Sequence, residues 1–143
     1  MTSQPDVPAD PPRFLTDRGM GAKVVPAALQ EAGFEIVTMQ DYYGPAKAER
    51  LADEDWIPDV TLAGMAVLTK DSKMRFNRLV VKAIHHSGAR CFALARQDLT
   101  GRQMAQRLID NKNEILRVAR TRHGPYFFHV HQDRVGEMPL VSR

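Results

Sequence analysis

The sequence has little cysteine and no long apolar run, and each shortage excludes a class of protein. Cys91 is the one cysteine in 143 residues, so a disulfide framework is excluded, and its apolar neighbours predict a buried, unreactive thiol. No apolar stretch approaches the ~20 residues of a membrane span. The amino terminus lacks the charged and apolar regions of a signal peptide. We therefore expect a cytoplasmic protein with no membrane association.

A glycine-rich phosphate loop is also missing. The residues that follow the first predicted strand, Asp17-Arg18-Gly19-Met20-Gly21, match neither of the standard glycine patterns. This disfavours a receiver-like or nucleotide-binding α/β domain.

The composition that is present belongs to an ordinary globular domain. The chain is 43% apolar and 26% charged, and its length suits a single domain with one core. A net charge of +3 permits a nucleic-acid partner without requiring one. Residues 1–12 contain four prolines and predict a disordered leader, which leaves residues 13–143 as the domain.

Strand and helix patterns alternate along that domain. Such an order predicts a doubly wound, three-layer α/β/α domain whose mainly parallel sheet has about five strands. Residues 40–45 read as a loop, residues 46–51 as either a short helix or a loop, and residues 135–141 as a hairpin partner for the last strand. The predicted strands cover residues 13–16, 34–39, 66–71, 90–95 and 126–131, and the predicted helices cover 24–32, 53–63, 79–86 and 98–119.

Three acids fall where such a sheet gathers its ligands. Asp17 and Asp71 each follow a strand that ends in threonine or Thr-Lys, and Asp53 lies at a helix start as its predicted N-cap. The carboxyl ends of parallel strands share one edge, where ligands bind in open α/β sheets. Carboxylates that meet there repel one another, and hard Mg²⁺ or Mn²⁺ relieves that repulsion. Few His or Cys residues lie nearby, so zinc is disfavoured.

These motifs resemble those of PIN-domain ribonucleases, and most closely the VapC-type toxins of bacterial toxin–antitoxin modules. The resemblance covers roughly residues 13–138 and rests on Asp17, on Asp53-Glu54-Asp55-Trp56-Ile57 and on Leu68-Thr69-Lys70-Asp71. It implies a PIN-like fold, Mg²⁺ or Mn²⁺ held by Asp17, Asp53 and Asp71, hydrolysis of RNA phosphodiesters, and a cognate antitoxin. A homodimer is left open.

The acidic set departs from the family pattern at one position. Typical members carry another acid on the helix after the first strand, and here that helix offers only Glu31 near its far end. Asp41, just after the second strand, is the candidate substitute. Without a substitute, the resemblance fits a catalytically silent module that binds RNA or a protein.

Basic and aromatic residues near the acids are candidates for RNA contact. Lys70, Lys73, Arg75 and Arg78 cluster around Asp71, and cations in such a position supply phosphate affinity. Tyr42 and Tyr43 could stack on bases. The alternative for the four cations is an ordinary solvated face. His85 and His86 are expected to favour the dipole at a helix end, and His129 and His131 to share a half-exposed strand face.

Overall fold

The fold is built on one six-stranded sheet. A computed structural model describes residues 11–140; residues 1–10 of the predicted leader and residues 141–143 lie outside this range. The strand order is β2-β1-β3-β4-β5-β6, and all pairs are parallel except the antiparallel pair of β5 and β6. The strands are β1 (Arg13–Thr16), β2 (Glu35–Thr38), β3 (Met65–Thr69), β4 (Arg90–Leu94), β5 (Tyr126–Val130) and β6 (Val135–Glu137).

Seven α-helices connect these strands within the described range. Two short 3-10 helices, Arg18–Met20 and Ser72–Phe76, follow β1 and β3. None of the helices in residues 11–140 combines the length and apolar character needed to cross a bilayer. The α-helices are α1 (Val24–Glu31), α2 (Met39–Tyr43), α3 (Pro45–Arg50), α4 (Asp53–Leu62), α5 (Arg78–Ser87), α6 (Gly101–Asp110) and α7 (Lys112–Thr121).

Each face of the sheet has its own core, which confirms the predicted three-layer α/β architecture. Residues of β3 alternate between the two cores: Ala66 and Leu68 pack with α1, α6 and α7, whereas Met65 and Val67 pack with α4 and α5. Every residue of β3 and β4 is buried. A strand covered on both faces needs a continuous apolar sequence, and this explains the unbroken runs in β3 and β4.

The parallel register brings the candidate acids to one edge. Thr16, the last residue of β1, pairs with Thr38 of β2 and with Leu68 of β3. The amide of Asp17 then donates to the carbonyl of Leu68 at 3.3 Å, which extends this pairing by one residue. Asp17 and the residues after Thr69 therefore leave the sheet side by side.

The predicted loop at residues 40–45 is wrong. Residues Met39–Tyr43 form α2, because the Thr38 hydroxyl accepts a hydrogen bond from the amide of Asp41 and caps the helix. The open choice at residues 46–51 resolves as a helix, α3, with Pro45 at its first turn. A proline at that position costs no intrahelical hydrogen bond.

The predicted single helix over residues 98–119 is also wrong, since the chain forms two helices there. The break is at Asn111, whose side chain donates to the carbonyls of Arg107 and His131 at 2.8 and 2.9 Å. Thr100 caps α6 with a reciprocal bond to Gln103. The sheet also has six strands where about five were predicted, since Val135–Glu137 pairs with β5 as a hairpin partner.

Candidate active site at the carboxyl edge of the sheet

Asp17 is a buried carboxylate directly after β1. Its Oδ2 accepts a hydrogen bond of 2.6 Å from the Thr69 hydroxyl, and its Oδ1 is buried with no hydrogen-bond partner among the described residues. Burial raises the pKa of Asp17 to about 6, the charges of Asp53 and Asp71 raise it as well, and the bonds from Thr69 and the Met20 backbone offset part of the rise. Asp17 thus faces two other acids and carries one uncompensated oxygen.

Thr69 links the two strand-terminal acids. Its hydroxyl donates to Asp17 and accepts from the backbone amide of Asp71 at 3.0 Å. A hydroxyl can donate one bond while it accepts others, so one fully buried side chain orients the Asp17 carboxylate and the turn that carries Asp71. The threonine in the Thr-Lys-Asp motif is therefore a positioning residue.

Asp71 begins the 3-10 helix that follows β3. Its Oδ1 accepts from the amide of Lys73 at 2.9 Å. The neighbouring residues are held from the loop after β4, because Gln97 donates from Nε2 to the Lys70 carbonyl at 2.8 Å and to the Ser72 hydroxyl at 2.9 Å. The Asp71 turn is thereby anchored on both sides of the acid.

Asp53 is the first residue of α4. The predicted N-cap role is wrong, because Ala52 occupies that position and no side-chain cap is formed. The Asp53 Oδ1 instead accepts from the Trp56 indole at 3.0 Å. Burial raises the pKa of Asp53, and so do the charges of Asp71 and Glu54, while Trp56 and Arg18 lower it.

The three acids form an electrostatically coupled set of oxygen donors. Within residues 11–140, no three His, Cys, Asp or Glu side chains stand as a group ready to hold a metal ion. The chemistry of the donors nevertheless fits a hard divalent cation, since carboxylate oxygens are its preferred ligands and Asp17 presents a buried oxygen without a partner. Asp17, Asp53 and Asp71 are the residues that could hold it.

The predicted substitute for the fourth acid, Asp41, has an exposed side chain in the first turn of α2. Glu31 is the last residue of α1 and is also exposed. Glu54 is half-buried, and its charge acts on Asp53. Sequence reasoning named Glu54 only as part of an acidic run, although its place in the first turn of α4 is the signal that could have singled it out.

The four predicted RNA-contacting cations take different positions. Lys73 and Arg78 are exposed. The side chain of Lys70 passes close to Gly19: a Cβ added at Gly19 would lie 3.3 Å from the Lys70 Cγ and 3.4 Å from the Asp17 carboxylate. Arg75 is half-buried, and its guanidinium donates to the Pro139 carbonyl at 2.9 Å. Arg75 thus holds the carboxyl-terminal segment against the domain.

The remaining candidates also separate by exposure. Tyr43 donates its hydroxyl to Asp59, whereas the Tyr42 ring is 42% exposed and is the more accessible of the two. His85 and His86 lie in the last turn of α5, as expected for residues that favour the dipole.

Sequence reasoning missed Gln97 and Arg18. The Arg18 guanidinium donates to the carbonyls of Ala48 and Leu51 at 3.1 and 3.0 Å beside Asp53, and neither residue carries a motif that reveals its role.

The fold and the site define an α/β domain with a mainly parallel sheet and acids at its carboxyl edge, and sequence comparison assigns the chain to one family. The sequence model described as "PIN like domain" matches residues 12–96. The chain belongs to the PIN-like domain family, and the predicted membership is confirmed.

A curated relative extends this likeness over nearly the whole chain. The protein is named "Putative ribonuclease VapC45", from Mycobacterium tuberculosis, and it is 34% identical over 134 residues, which cover 92% of this chain and 96% of the relative. The predicted likeness to VapC-type proteins agrees with that name. No solved structure matches the chain.

Proposed function

We propose that the protein is a metal-dependent endoribonuclease of the PIN type that acts as the toxin of a toxin–antitoxin pair. The observation that carries this proposal is the buried Asp17 carboxylate, whose Oδ1 has no hydrogen-bond partner among the described residues and whose pKa is raised by burial and by the charges of Asp53 and Asp71. Membership in the PIN-like family and the name of the mycobacterial relative support it.

Each residue of the site has a proposed task. Asp17, Asp53 and Asp71 hold Mg²⁺ or Mn²⁺, which when bound activates water and stabilises charge on a phosphate. Thr69 keeps the Asp17 carboxylate turned toward the other acids. Gln97 fixes the turn that carries Asp71. Lys70, Lys73 and Arg78 supply positive charge to the RNA backbone, and Arg75 contributes through its hold on the carboxyl-terminal segment.

RNA cleavage by the purified protein tests the proposal. With Mg²⁺ present, the wild type cleaves single-stranded RNA, and Asp71→Asn lowers the rate by at least about 100-fold, because a loss of about 3 kcal/mol in transition-state stabilisation has that effect. Asp110→Asn serves as the matched control, because Asp110 is a carboxylate on α6 that accepts a hydrogen bond from Gln106. Equal cleavage by the wild type and Asp71→Asn removes this mechanism.

The acidic run at the start of α4 offers a second, local comparison. Asp53 is half-buried and acts on Asp17, whereas Asp55 is exposed two residues later. Asp53→Asn is therefore expected to abolish cleavage and Asp55→Asn to preserve it. The reverse result would move the ligand to Asp55 and overturn the assignment of Asp53.

A catalytically silent module that binds RNA or a protein is the second candidate. It is favoured by the lack of a ready-made three-ligand group in residues 11–140 and by the position of Glu31 at the far end of α1. A silent module shows no cleavage and no metal binding that depends on Asp17. Metal titration therefore separates the two candidates.

The proposed partners follow from the same assignment. The toxin acts on RNA in the cytoplasm, and a cognate antitoxin covers the acidic edge of the sheet. Asp41 is also proposed as a ligand, and because its side chain is exposed, it is proposed to act on the metal through water. Co-purification of the chain with the product of the adjacent reading frame, and loss of cleavage in that complex, tests the antitoxin.

A further inference from the structure

Five cationic or titratable nitrogen side chains surround the carboxyl end of β5, on strands, loops and helices far apart in sequence. His129 and His131 lie on one face of the strand with ring centroids 6.1 Å apart. The carbonyls of Arg107 and His131 accept from the same Asn111 side chain at 2.8 and 2.9 Å, and the His131 amide donates to the Arg134 carbonyl at 2.8 Å, so both arginines flank His131. The charge of Arg75 acts on His129. We refer to His129, His131, Arg75, Arg107 and Arg134 as the β5 cluster.

The geometry of the β5 cluster is tightly set. His131 is anchored through its carbonyl, which accepts from the Asn111 amide at 2.9 Å. Gly136 pairs with His129 in the sheet, and a Cβ at Gly136 would lie 2.9 Å from Nη1 of Arg134. The guanidinium therefore occupies the space that a side chain at Gly136 would fill, beside the strand position that His129 takes.

The β5 cluster adjoins the acidic site along the carboxyl edge of the sheet. His129 pairs with Ala93 of β4, and Ala93 pairs with Thr69 of β3, so His129 lies level with the residue that positions Asp17. Gln97, from the loop after β4, bonds the Ser72 hydroxyl and the Lys70 carbonyl. Because β4 lies between β3 and β5, the carboxyl edge runs without interruption from Asp71 to His131.

The β5 cluster is short of negative charge. Asp133 is the acid that acts on His131, and it opposes Arg107 and Arg134. Asp98, the acid in the loop after β4, is bonded to Arg96 at 2.8 Å, and Arg107 also lowers its pKa. Two acids thus face the three arginines of the β5 cluster. Burial lowers the pKa of both histidines, and the neighbouring cations lower it further. Cations that repel one another on a polar edge favour a polyanion.

We propose that the β5 cluster binds the phosphates of the RNA strand where it leaves the acidic site. Arg107 and Arg134 supply fixed positive charge. His131 and His129 supply hydrogen-bond donors between these arginines and Asp71. This subsite rests on the proposed nuclease function and extends the predicted RNA contacts beyond the cluster at Lys70, Lys73, Arg75 and Arg78. RNA fits better than an acidic protein segment because the β5 cluster continues the edge along which a cleaved strand has to pass.

Binding of a fluorescein-labelled single-stranded RNA, measured by anisotropy in EDTA over a series of salt concentrations, tests the subsite without cleavage. Arg107→Gln, Arg134→Gln and His131→Gln are each compared with the wild type. Each arginine variant is expected to weaken binding by about threefold or more and to flatten the plot of log Kd against log salt by roughly 0.7, the value for one phosphate contact with a single strand.

Matched controls make the same substitutions at the other edge of the sheet. Arg120→Gln lies in the last turn of α7, and His85→Gln in the last turn of α5; both positions are exposed. These variants are expected to keep the wild-type salt slope. Circular dichroism of all five variants shows whether each one is folded before its binding is compared.

The outcomes separate the subsite from the nuclease proposal. If the wild type cleaves RNA and the β5 cluster variants bind RNA as tightly as the wild type does, the subsite is overturned and the nuclease proposal stands. Loss of affinity confined to those variants supports the subsite even if Mg²⁺ yields no cleavage. Absence of RNA binding, or polyglutamate that binds through the same residues while RNA does not, overturns the subsite.

Discussion

The surroundings of Asp17 disfavour the ionised form of its carboxyl group. Its carboxylate is 7% exposed and receives a hydrogen bond from Thr69, but no cationic side chain is among the causes that lower its pKa. In the unfolded chain its pKa is 3.8, and in the fold it rises to about 6. The fold therefore bears a cost at neutral pH to keep this carboxylate in place, as sites under functional demand often do.

Asp17→Asn is expected to stabilise the metal-free protein at about pH 8 by up to ~3 kcal/mol, from a pKa difference of about two units. Above the folded pKa both states are ionised and the cost is fully present; below 3.8 both are protonated and the cost vanishes. Urea unfolding at about pH 8 and about pH 4 measures the effect. Destabilisation of equal size at both pH values would contradict it.

Thr69 and Thr16 offer a matched pair of substitutions at neighbouring strand ends. Thr69 makes two hydrogen bonds, whereas the Thr16 hydroxyl is buried with no partner among the described residues. Thr69→Val is expected to cost about 1–3 kcal/mol because it leaves polar partners unpaired, and Thr16→Val to be nearly neutral. Thermal unfolding of both variants makes the comparison.

A second measurement separates positioning from simple stability. Because the Thr69 bond lowers the pKa of Asp17, Thr69→Val is expected to shift the acidic limb of metal binding or cleavage to higher pH. Thr16→Val leaves that limb in place. A pH midpoint that is unchanged in Thr69→Val would reduce Thr69 to a structural residue.

Sequence reasoning reaches the acids more easily than the bonds between them. Asp17 and Asp71 could be predicted because each ends an apolar run, which is a local signal. The Thr69–Asp17 bond joins residues 52 positions apart, and no pattern in either segment specifies it. The same holds for Arg18, whose contacts with Ala48 and Leu51 depend on how α3 lies beside the site.

At the scale of the element, predictions succeed where hydrophobic periodicity is strong. The buried strands β3 and β4 and the helix α5 could be recognised from their apolar positions. The failures have specific causes. One side-chain cap at Thr38 turns a polar loop into α2, and one amide at Asn111 bonds across to β5 and divides a continuous helical pattern into α6 and α7.

The turn after β3 is an element whose order depends on a neighbour. Gln97→Ala removes both bonds that Gln97 makes to Lys70 and Ser72. Hydrogen exchange at the amides of Asp71 and Lys73 is expected to accelerate by about fivefold or more, since a neutral hydrogen bond contributes about 1 kcal/mol. Gln106→Ala, which removes a bond to Asp110 within α6, is the control. Unchanged exchange at both amides would show that the bonds made by Thr69 and by the Asp71 carboxylate order the turn without Gln97.

At the scale of the molecule, one sheet edge carries opposite charges side by side. The acids lie over β1 and β3, and the β5 cluster lies over β5, with Gln97 between them. This arrangement suits a polyanion that meets a metal ion at the acids and cationic side chains at the β5 cluster. The net charge of +3 does not reveal this arrangement, because a total for the whole chain contains no information on where the charges lie.

A metal ion that binds the folded chain is expected to stabilise the whole molecule. A ligand at about 100 times its Kd adds about 2.7 kcal/mol to the free energy of unfolding. Mn²⁺ should therefore raise the Tm at about pH 8 and raise it much less at about pH 5, where Asp17, with its pKa of about 6, is largely protonated and competes poorly for a cation.

Two variants locate that stabilisation. Asp71→Asn is expected to abolish the Mn²⁺-dependent rise in Tm, because Asp71 acts directly on Asp17. Asp41→Asn, on the exposed first turn of α2, is expected to retain most of it. A rise that survives Asp71→Asn would move the metal away from this edge, and a wild type without any rise at saturating Mn²⁺ would favour the silent module. A rise lost in both variants would make Asp41 the fourth acid that α1 does not supply.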